Sequence, residues 1–179
     1  MSSNIHFWSQ AGQDKYVYEN LPSPGTLLDI GCNDPFACSN SCTLEGQGWT
    51  GLLVDLDAEM VAYCNRTRKN PAIVEDATKA DWKKICAEHN LGPAIDYLSL
   101  DVDGPELVVL ENLIAAGLSF KIITCEHDRY HRGDGPRNAI REFLIAQGYT
   151  LAVPDVKVFD NNYPKGVEYE DWWSKDINA

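Results

Sequence analysis

The chain lacks the marks of several large protein classes. Its six cysteines, Cys32, Cys38, Cys42, Cys64, Cys86 and Cys125, include no Cys-x-x-Cys pair, the spacing that zinc sites and redox motifs use, so they read as reduced thiols. The opening Met1-Ser2-Ser3-Asn4-Ile5-His6 has neither a basic nor an apolar leader region. No later apolar run approaches the roughly 20 residues of a membrane span. The expectation is a cytoplasmic protein with no membrane partner. Bases are scarce: 15 Lys and Arg against 27 Asp and Glu give a formal charge of −12. A phosphate backbone would be repelled, so nucleic acid is not expected as a partner. Internal repeats, low-complexity tracts and Gly/Ser linkers are also absent. The 179 residues are therefore expected to form one domain, 1–179, large enough to cover a sheet with helices on both faces.

What is present is an alternation of two periods. Apolar runs at Thr26–Ile30, Gly51–Asp55, Ala72–Glu75, Ile95–Asp101 and Lys121–Glu126 read as strands. Between most of them lie amphipathic stretches with apolar residues three and four apart: Ala58–Lys69, Lys79–Asn90, Pro105–Gly117 and Pro136–Gly148. This α/β order predicts a doubly wound, mainly parallel sheet. After Gly148, Tyr149–Val153 and Val156–Phe159 are separated only by Pro154-Asp155. That spacing is too short for a crossover and predicts an antiparallel hairpin at the sheet edge, making seven strands. The remaining tail, 161–179, reads as too polar to add a layer, with Trp172 and Trp173 packing only their rings.

Two strand ends carry chemistry. Thr26-Leu27-Leu28-Asp29-Ile30-Gly31-Cys32-Asn33-Asp34 ends an apolar run in an acid and a glycine, and Gly51-Leu52-Leu53-Val54-Asp55 ends the next run in an acid. In open α/β sheets, ligands bind in the crevice beyond the strand ends; a glycine turn admits the ligand and the second acid can hold two ribose hydroxyls. The pattern points to a cofactor carrying an adenosine. The lone Gly31, where a phosphate-cradling loop wants several glycines, argues against a nicotinamide dinucleotide, as does the terminal hairpin. Simpler roles stay open: Asp29 and Asp34 as turn formers, and Asp55 as a cap for the helix near Ala58. Cys32 lies in this turn and is the thiol with a prospect of solvent access.

The motifs together resemble a known family. Ser9-Gln10-Ala11-Gly12-Gln13-Asp14, Leu28 to Asp34, Ser39-Asn40, Leu44-Glu45, Gly48 to Asp55, and Asp96-Tyr97-Leu98-Ser99-Leu100-Asp101-Val102-Asp103-Gly104 with Glu106 are similar to the FkbM family of S-adenosylmethionine-dependent methyltransferases, from about Ser9 to about Tyr149. The resemblance implies a Rossmann-like class I methyltransferase fold. It also implies that Asp29 and Gly31 line the methionine end of S-adenosylmethionine, with Asn33 in the same turn, that Asp55 holds the ribose, and that Asp76 faces the adenine amino group. The N-terminal segment, 1–24, is expected to close over the cofactor, with Ser9 and Gln10 bonding the methionyl group and Asn40 closing the same wall. The chain departs from the family at Pro35, where glycine is usual, and at Asp55-Leu56, where Glu-Pro is common.

Methyl transfer to oxygen needs alignment, water exclusion and an activated acceptor. Candidates follow the fourth and fifth strands: Asp101 and Asp103, then Glu126, His127 and Asp128. Asp101, Asp103, Glu126 and Asp128 form a hard-oxygen set that Mg²⁺ or another divalent cation would suit, lowering the acceptor's pKa. Alternatively Asp101, Glu126 or His127 accepts the proton directly. Asp103-Gly104-Pro105-Glu106 also reads as an ordinary helix start. The implied function is O-methylation of a sugar, glycan or small-metabolite hydroxyl, with a homodimer as a way to supply a missing lid. The competing reading is a non-catalytic cofactor-binding or protein-interaction module, because short crossovers leave little chain to enclose an acceptor.

Overall fold

The computed structural model describes residues 5–21, 24–159 and 162–176. Residues 1–4 and 22–23 of the expected closing segment, and 161 and 177–179 of the expected tail, lie outside the described residues. Seven strands form one sheet in the order β3-β2-β1-β4-β5-β7-β6. The first five are β1 (Thr26–Ile30), β2 (Thr50–Asp55), β3 (Ala72–Val74), β4 (Ala94–Leu100) and β5 (Ser119–Glu126), all parallel. β1 sits between β2 and β4, with Leu28 registered on Leu52 on one side and on Leu98 on the other.

Strand alternation sorts the apolar residues onto two faces. Leu28, Ile30, Leu52, Val54, Leu98 and Leu100 face one core with Trp82 and Ile85 of α4 (Trp82–Glu88), Val109 and Leu113 of α5 (Glu106–Ala115) and Ile140 and Leu144 of α7 (Asp134–Ala146). Leu27, Leu53 and Tyr97 face the other, with Val17 of α1 (Gln13–Asn20), Leu44 of α2 (Cys42–Gly46) and Val61 of α3 (Ala58–Thr67). Asp29, one residue on from Leu28, therefore points toward α2. A one-turn helix, α6 (Arg129–Arg132), follows β5. Among the described residues no helix is long and apolar enough to cross a membrane.

The antiparallel end is there, but with different strands from those the sequence predicts. β6 runs unbroken over Thr150–Val158, through Pro154-Asp155, and its partner β7 is Val167–Ser174, taken from the supposed polar tail. Register shifts between Leu151 and Val156 absorb Pro154, and Asp155 takes φ +51° while its N–H donates to Asp171; a bulge of this kind lets proline stay inside an edge strand. β7 then inserts between β5 and β6, with Trp173 buried in the main core. Its charges enter the sheet because each is neutralised. Both carboxylate oxygens of Asp171 accept bonds at 2.8 Å from the Arg141 guanidinium. Burial pushes Glu170 up to about 8, so it enters as a neutral acid that accepts a bond from the Trp172 indole N–H. A polar composition thus hid a buried strand.

Candidate functional site

β1 is the strand from which the crossovers leave in opposite directions, and a cavity of about 540 Å³ lies at its carboxyl end. Its walls are Asp29–Gly31, then Asp55 and Leu56 after β2, Glu75–Thr78 after β3, and Asp101, Asp103 and Pro105 after β4. This is where an open α/β sheet binds ligands. Gly31, at φ +83°, is what opens the crevice: a Cβ there would sit 1.6 Å from the Asp101 carbonyl oxygen. The β1 and β4 ends therefore meet only if this residue has no side chain.

Asp29 is buried and accepts a hydrogen bond from the Ser41 hydroxyl. Burial raises its carboxyl above the usual range, against bonds from Ser41 and Ser99 and the nearby Arg68 charge. Asp55 does not cap α3; Asp57 does, accepting from the N–H groups of Glu59 and Met60. Asp55 instead ties two loops together, accepting from the Asn33 N–H at 2.8 Å and the Asp57 N–H at 2.9 Å. Asn33 and Gln10 line the cavity as well. Asn40 donates to Ser99 at 3.0 Å, and its Oδ1 is a buried acceptor with no partner on a cavity wall. An orphaned acceptor costs stability unless a ligand or water satisfies it. Asp76 also lines the cavity, but its carboxylate accepts from Lys79 and Thr78, and these bonds hold it down at about 2.

Two expected contacts are not brought to this cavity. The Ser9 hydroxyl donates to Asp14 and accepts from the Gly12 N–H. Asp14 is buried and also accepts from Trp8 N–H and the Thr43 hydroxyl, so this acid, rather than Ser9, anchors the segment that lays Gln10 at the rim. His127 is fully buried away from the cavity: its Nδ1 accepts from the Arg129 N–H and its Nε2 lies 3.6 Å from Asp171. The β5–β7 pairing covers it, which the sequence could not anticipate once β7 was read as a tail. Cys32 does line the cavity but is buried, and desolvation pushes its thiol well up, so it is not the solvent-exposed thiol the turn suggested.

The acids after β4 and β5 do converge. Asp101, Asp103 and Glu126 bring one oxygen each within 4.8 Å of one another, and Glu126 is buried with an unpartnered Oε2. Burial, with the neighbouring carboxylates adding to it, raises both Asp101 and Glu126 above the usual range. Asp128 stands outside that compact set, although its carboxyl is close enough to Glu126 to interact and is raised by burial. Glu106 belongs to the helix start: it accepts from the Gly104 N–H at 2.6 Å and from Arg132 at 2.9 Å. Asp103, at φ +54°, remains exposed to the cavity. In a second group, His127, Asp155 and Asp171, both carboxylates already pair with Arg141, so their charge is met.

Sequence reasoning missed the support beneath the site. Arg68, at the end of α3, is buried and donates to Glu45 at 3.2 Å, to the Pro35 carbonyl at 3.0 Å, and to the hydroxyls of Ser39 at 3.2 Å and Ser41 at 3.0 Å. It reaches Asp29 through Ser41. The one available signal was Glu45 beside Leu44 on a short apolar helix, since a buried acid demands a cation.

No family model matches the chain, and no curated protein matches it. Solved structures do. A TehB-like S-adenosylmethionine-dependent methyltransferase from Corynebacterium glutamicum aligns with a TM-score of 0.60 at 18% identity, over 92% of this chain and 88% of that one. An O-methyltransferase from Bacillus cereus in complex with S-adenosylhomocysteine aligns at 0.59 and 13%, over 97% and 84%. A protein described as an rRNA methylase from Clostridium thermocellum aligns at 0.60 and 12%, over 96% and 98%. At such identities the likeness establishes the fold, a class I methyltransferase fold. The third structure shows that this architecture by itself does not exclude nucleic acid, contrary to the expectation from charge.

Proposed function

We propose that this chain is an S-adenosylmethionine-dependent O-methyltransferase resembling the FkbM family, that its acceptor is a hydroxyl of a sugar, glycan or small metabolite, and that a divalent cation assists it. The observation that carries the reading is the single cavity on which Asp29, Gly31 and Asp55 converge from adjacent strand ends. The residues fit the cofactor. Asp55, its two oxygens each spending one lone pair on a loop N–H, would accept from the ribose hydroxyls. The orphaned Asn40 Oδ1 would accept from the ammonium of the methionyl group. Gln10 would cover the open side, and Glu75 to Thr78 with Leu56 would surround the adenine. Asp76 would approach it with a carboxylate already spent on Lys79. When bound, the cofactor supplies an electrophilic methyl carbon.

The acid set fits a hard divalent cation, because three oxygens lie close together and the Glu126 Oε2 lacks a partner. Asp101, Asp103 and Glu126 would hold it, with Asp128 at the edge. A cation there would supply the charge that lowers the acceptor hydroxyl's pKa. Asp101, shared between the cavity wall and the acid set, would orient the acceptor toward the cofactor and take its proton.

Isothermal titration with S-adenosylhomocysteine tests the cofactor reading. One site is expected, weakened at least tenfold in Asp55→Ala, about the worth of one charge-assisted hydrogen bond. Absence of both heat and a thermal shift at millimolar ligand would overturn it. Transfer of methyl to an identified acceptor then separates enzyme from binding module, and Asp101→Ala should abolish that transfer.

A further inference from the structure

A second hollow lies at the same end of the sheet, beyond β5. Because β7 is antiparallel to β5 and β6 to β7, the start of β7 and the end of β6 lie beside the carboxyl end of β5. There a groove of about 260 Å³ is lined by Arg129, Tyr130, Lys157, Gly166 and Glu168. Three of the large apolar side chains that the fold leaves exposed gather around it: Tyr130 at 46%, Tyr163 at 39% and Phe159 at 64%. The Tyr130 and Tyr163 rings meet edge to face at 5.3 Å, and the Phe159 ring lies on Gly166, where a Cβ would come within 2.6 Å of it.

The platform is held rigidly. The N–H groups of His127 and Asp128 both donate to the Tyr169 carbonyl, at 2.7 and 2.9 Å, pinning the end of β5 to β7. Arg129 straps α6 to Asp134 and Glu168, and Arg132 straps it to Glu106 and the Gly104 carbonyl. Tyr130 is thereby presented next to Asp128, with which its hydroxyl interacts, at the margin of the acid set.

We propose that this groove is an acceptor subsite for a neutral carbohydrate chain, one sugar ring stacking on Tyr130 while its hydroxyls bond to Arg129, Lys157 and Glu168, so that the next residue along reaches Asp101. This rests on the methyltransferase reading and names its substrate class. The chemistry selects among ligands. Exposed aromatic faces attract the C–H side of a pyranose, and planar charged groups beside them bond its hydroxyls. An anionic ligand is disfavoured, since Arg129 is already met by Glu168 and Asp134 and Lys157 by Glu168, and the Tyr130 hydroxyl interacts with the carboxyl of Asp128. A purely apolar ligand would strip water from these partly exposed ion pairs and return no hydrogen bond. The groove is open, which suits a chain running off the protein better than a small molecule that must be enclosed.

The test is saturation-transfer NMR on the full chain with neutral trisaccharides of glucose, mannose, galactose and N-acetylglucosamine, with decauridylate as the competing polymer. Transfer to pyranose ring protons of at least one trisaccharide is expected. Binding should weaken about tenfold in Tyr130→Ala and persist in Tyr130→Phe, the size of one aromatic stacking contact. Absence of transfer to every trisaccharide, transfer unchanged in Tyr130→Ala, or binding of decauridylate alone would each overturn the proposal. Titration of the same samples with S-adenosylhomocysteine keeps the two readings apart. Tyr130-dependent sugar binding without nucleoside binding would support the groove and sink the methyltransferase assignment.

Discussion

Replacing Arg68 by methionine should unlatch the cofactor wall from behind. The guanidinium and the Glu45 carboxylate are 2% and 8% exposed, so the pair is shielded from water and barely screened by salt. Deleting one partner of a buried ion pair costs roughly 3–5 kcal/mol, mostly through the charge left behind. Here Glu45 keeps two bonds, from the N–H groups of Lys69 at 2.9 Å and Asn70 at 2.8 Å. That compensation places Arg68→Met near the lower end, about 3 kcal/mol, a large fraction of the ~5–15 kcal/mol that stabilises an ordinary domain. Urea unfolding followed by tryptophan fluorescence measures it, because Trp49 is buried in the core that α2 and α3 share. A cycle with Glu45→Gln separates charge from packing: the double variant should lose less than the sum of the single losses by about 1.5 kcal/mol or more. Affinity for S-adenosylhomocysteine should also fall, because Ser41 loses the bond that holds it against Asp29. A loss below about 1 kcal/mol, or additivity within about 0.5 kcal/mol, would refute the argument that this ion pair braces the wall.

Other outcomes follow from the same geometry. Gly31→Ala should lower the melting temperature and eliminate nucleoside binding, since φ +83° and the 1.6 Å approach to the Asp101 carbonyl oppose any Cβ; Gly46→Ala, with nothing within 4 Å, is the control and should be neutral or stabilising. An unchanged Gly31→Ala would show that the β1–β4 seam is not closed as described. Acid unfolding should report Asp171. Burial by itself would raise its carboxyl, but the Arg141 fork, then His127 and the Asp155 N–H, outweigh it and hold the group well below its usual range. A carboxyl lowered in the folded state stabilises above its unfolded value, roughly pH 4, and that contribution disappears as pH falls through the folded value. In Arg141→Gln the acid limb, followed by circular dichroism, should therefore begin at higher pH. An unshifted limb would mean that the pair contributes nothing to acid stability.

The local pattern in the chain determined much of this molecule. The five parallel strands, the helices α3, α4, α5 and α7 and the glycine that opens the crevice were all legible, because each depends on periodicity or on a residue with one conformational use. Asp29, Asp55, Asp101 and Asp103 were legible as residues at strand ends, and a strand end in an α/β sheet is a location as well as a conformation. Tertiary structure alone decided the rest. Whether Val167–Ser174 is tail or strand depended on Arg141, distant in sequence, which neutralises Asp171, and on the burial that raises the carboxyl of Glu170. The destination of His127 depended on that strand in turn. Ser9 turned onto Asp14, to which the motif had given no role, and Arg68 came to brace Asp29, because hydrogen-bond satisfaction inside a core is settled among all the groups that meet there. Composition records which charges exist; only packing decides which of them lose their water and must find one another.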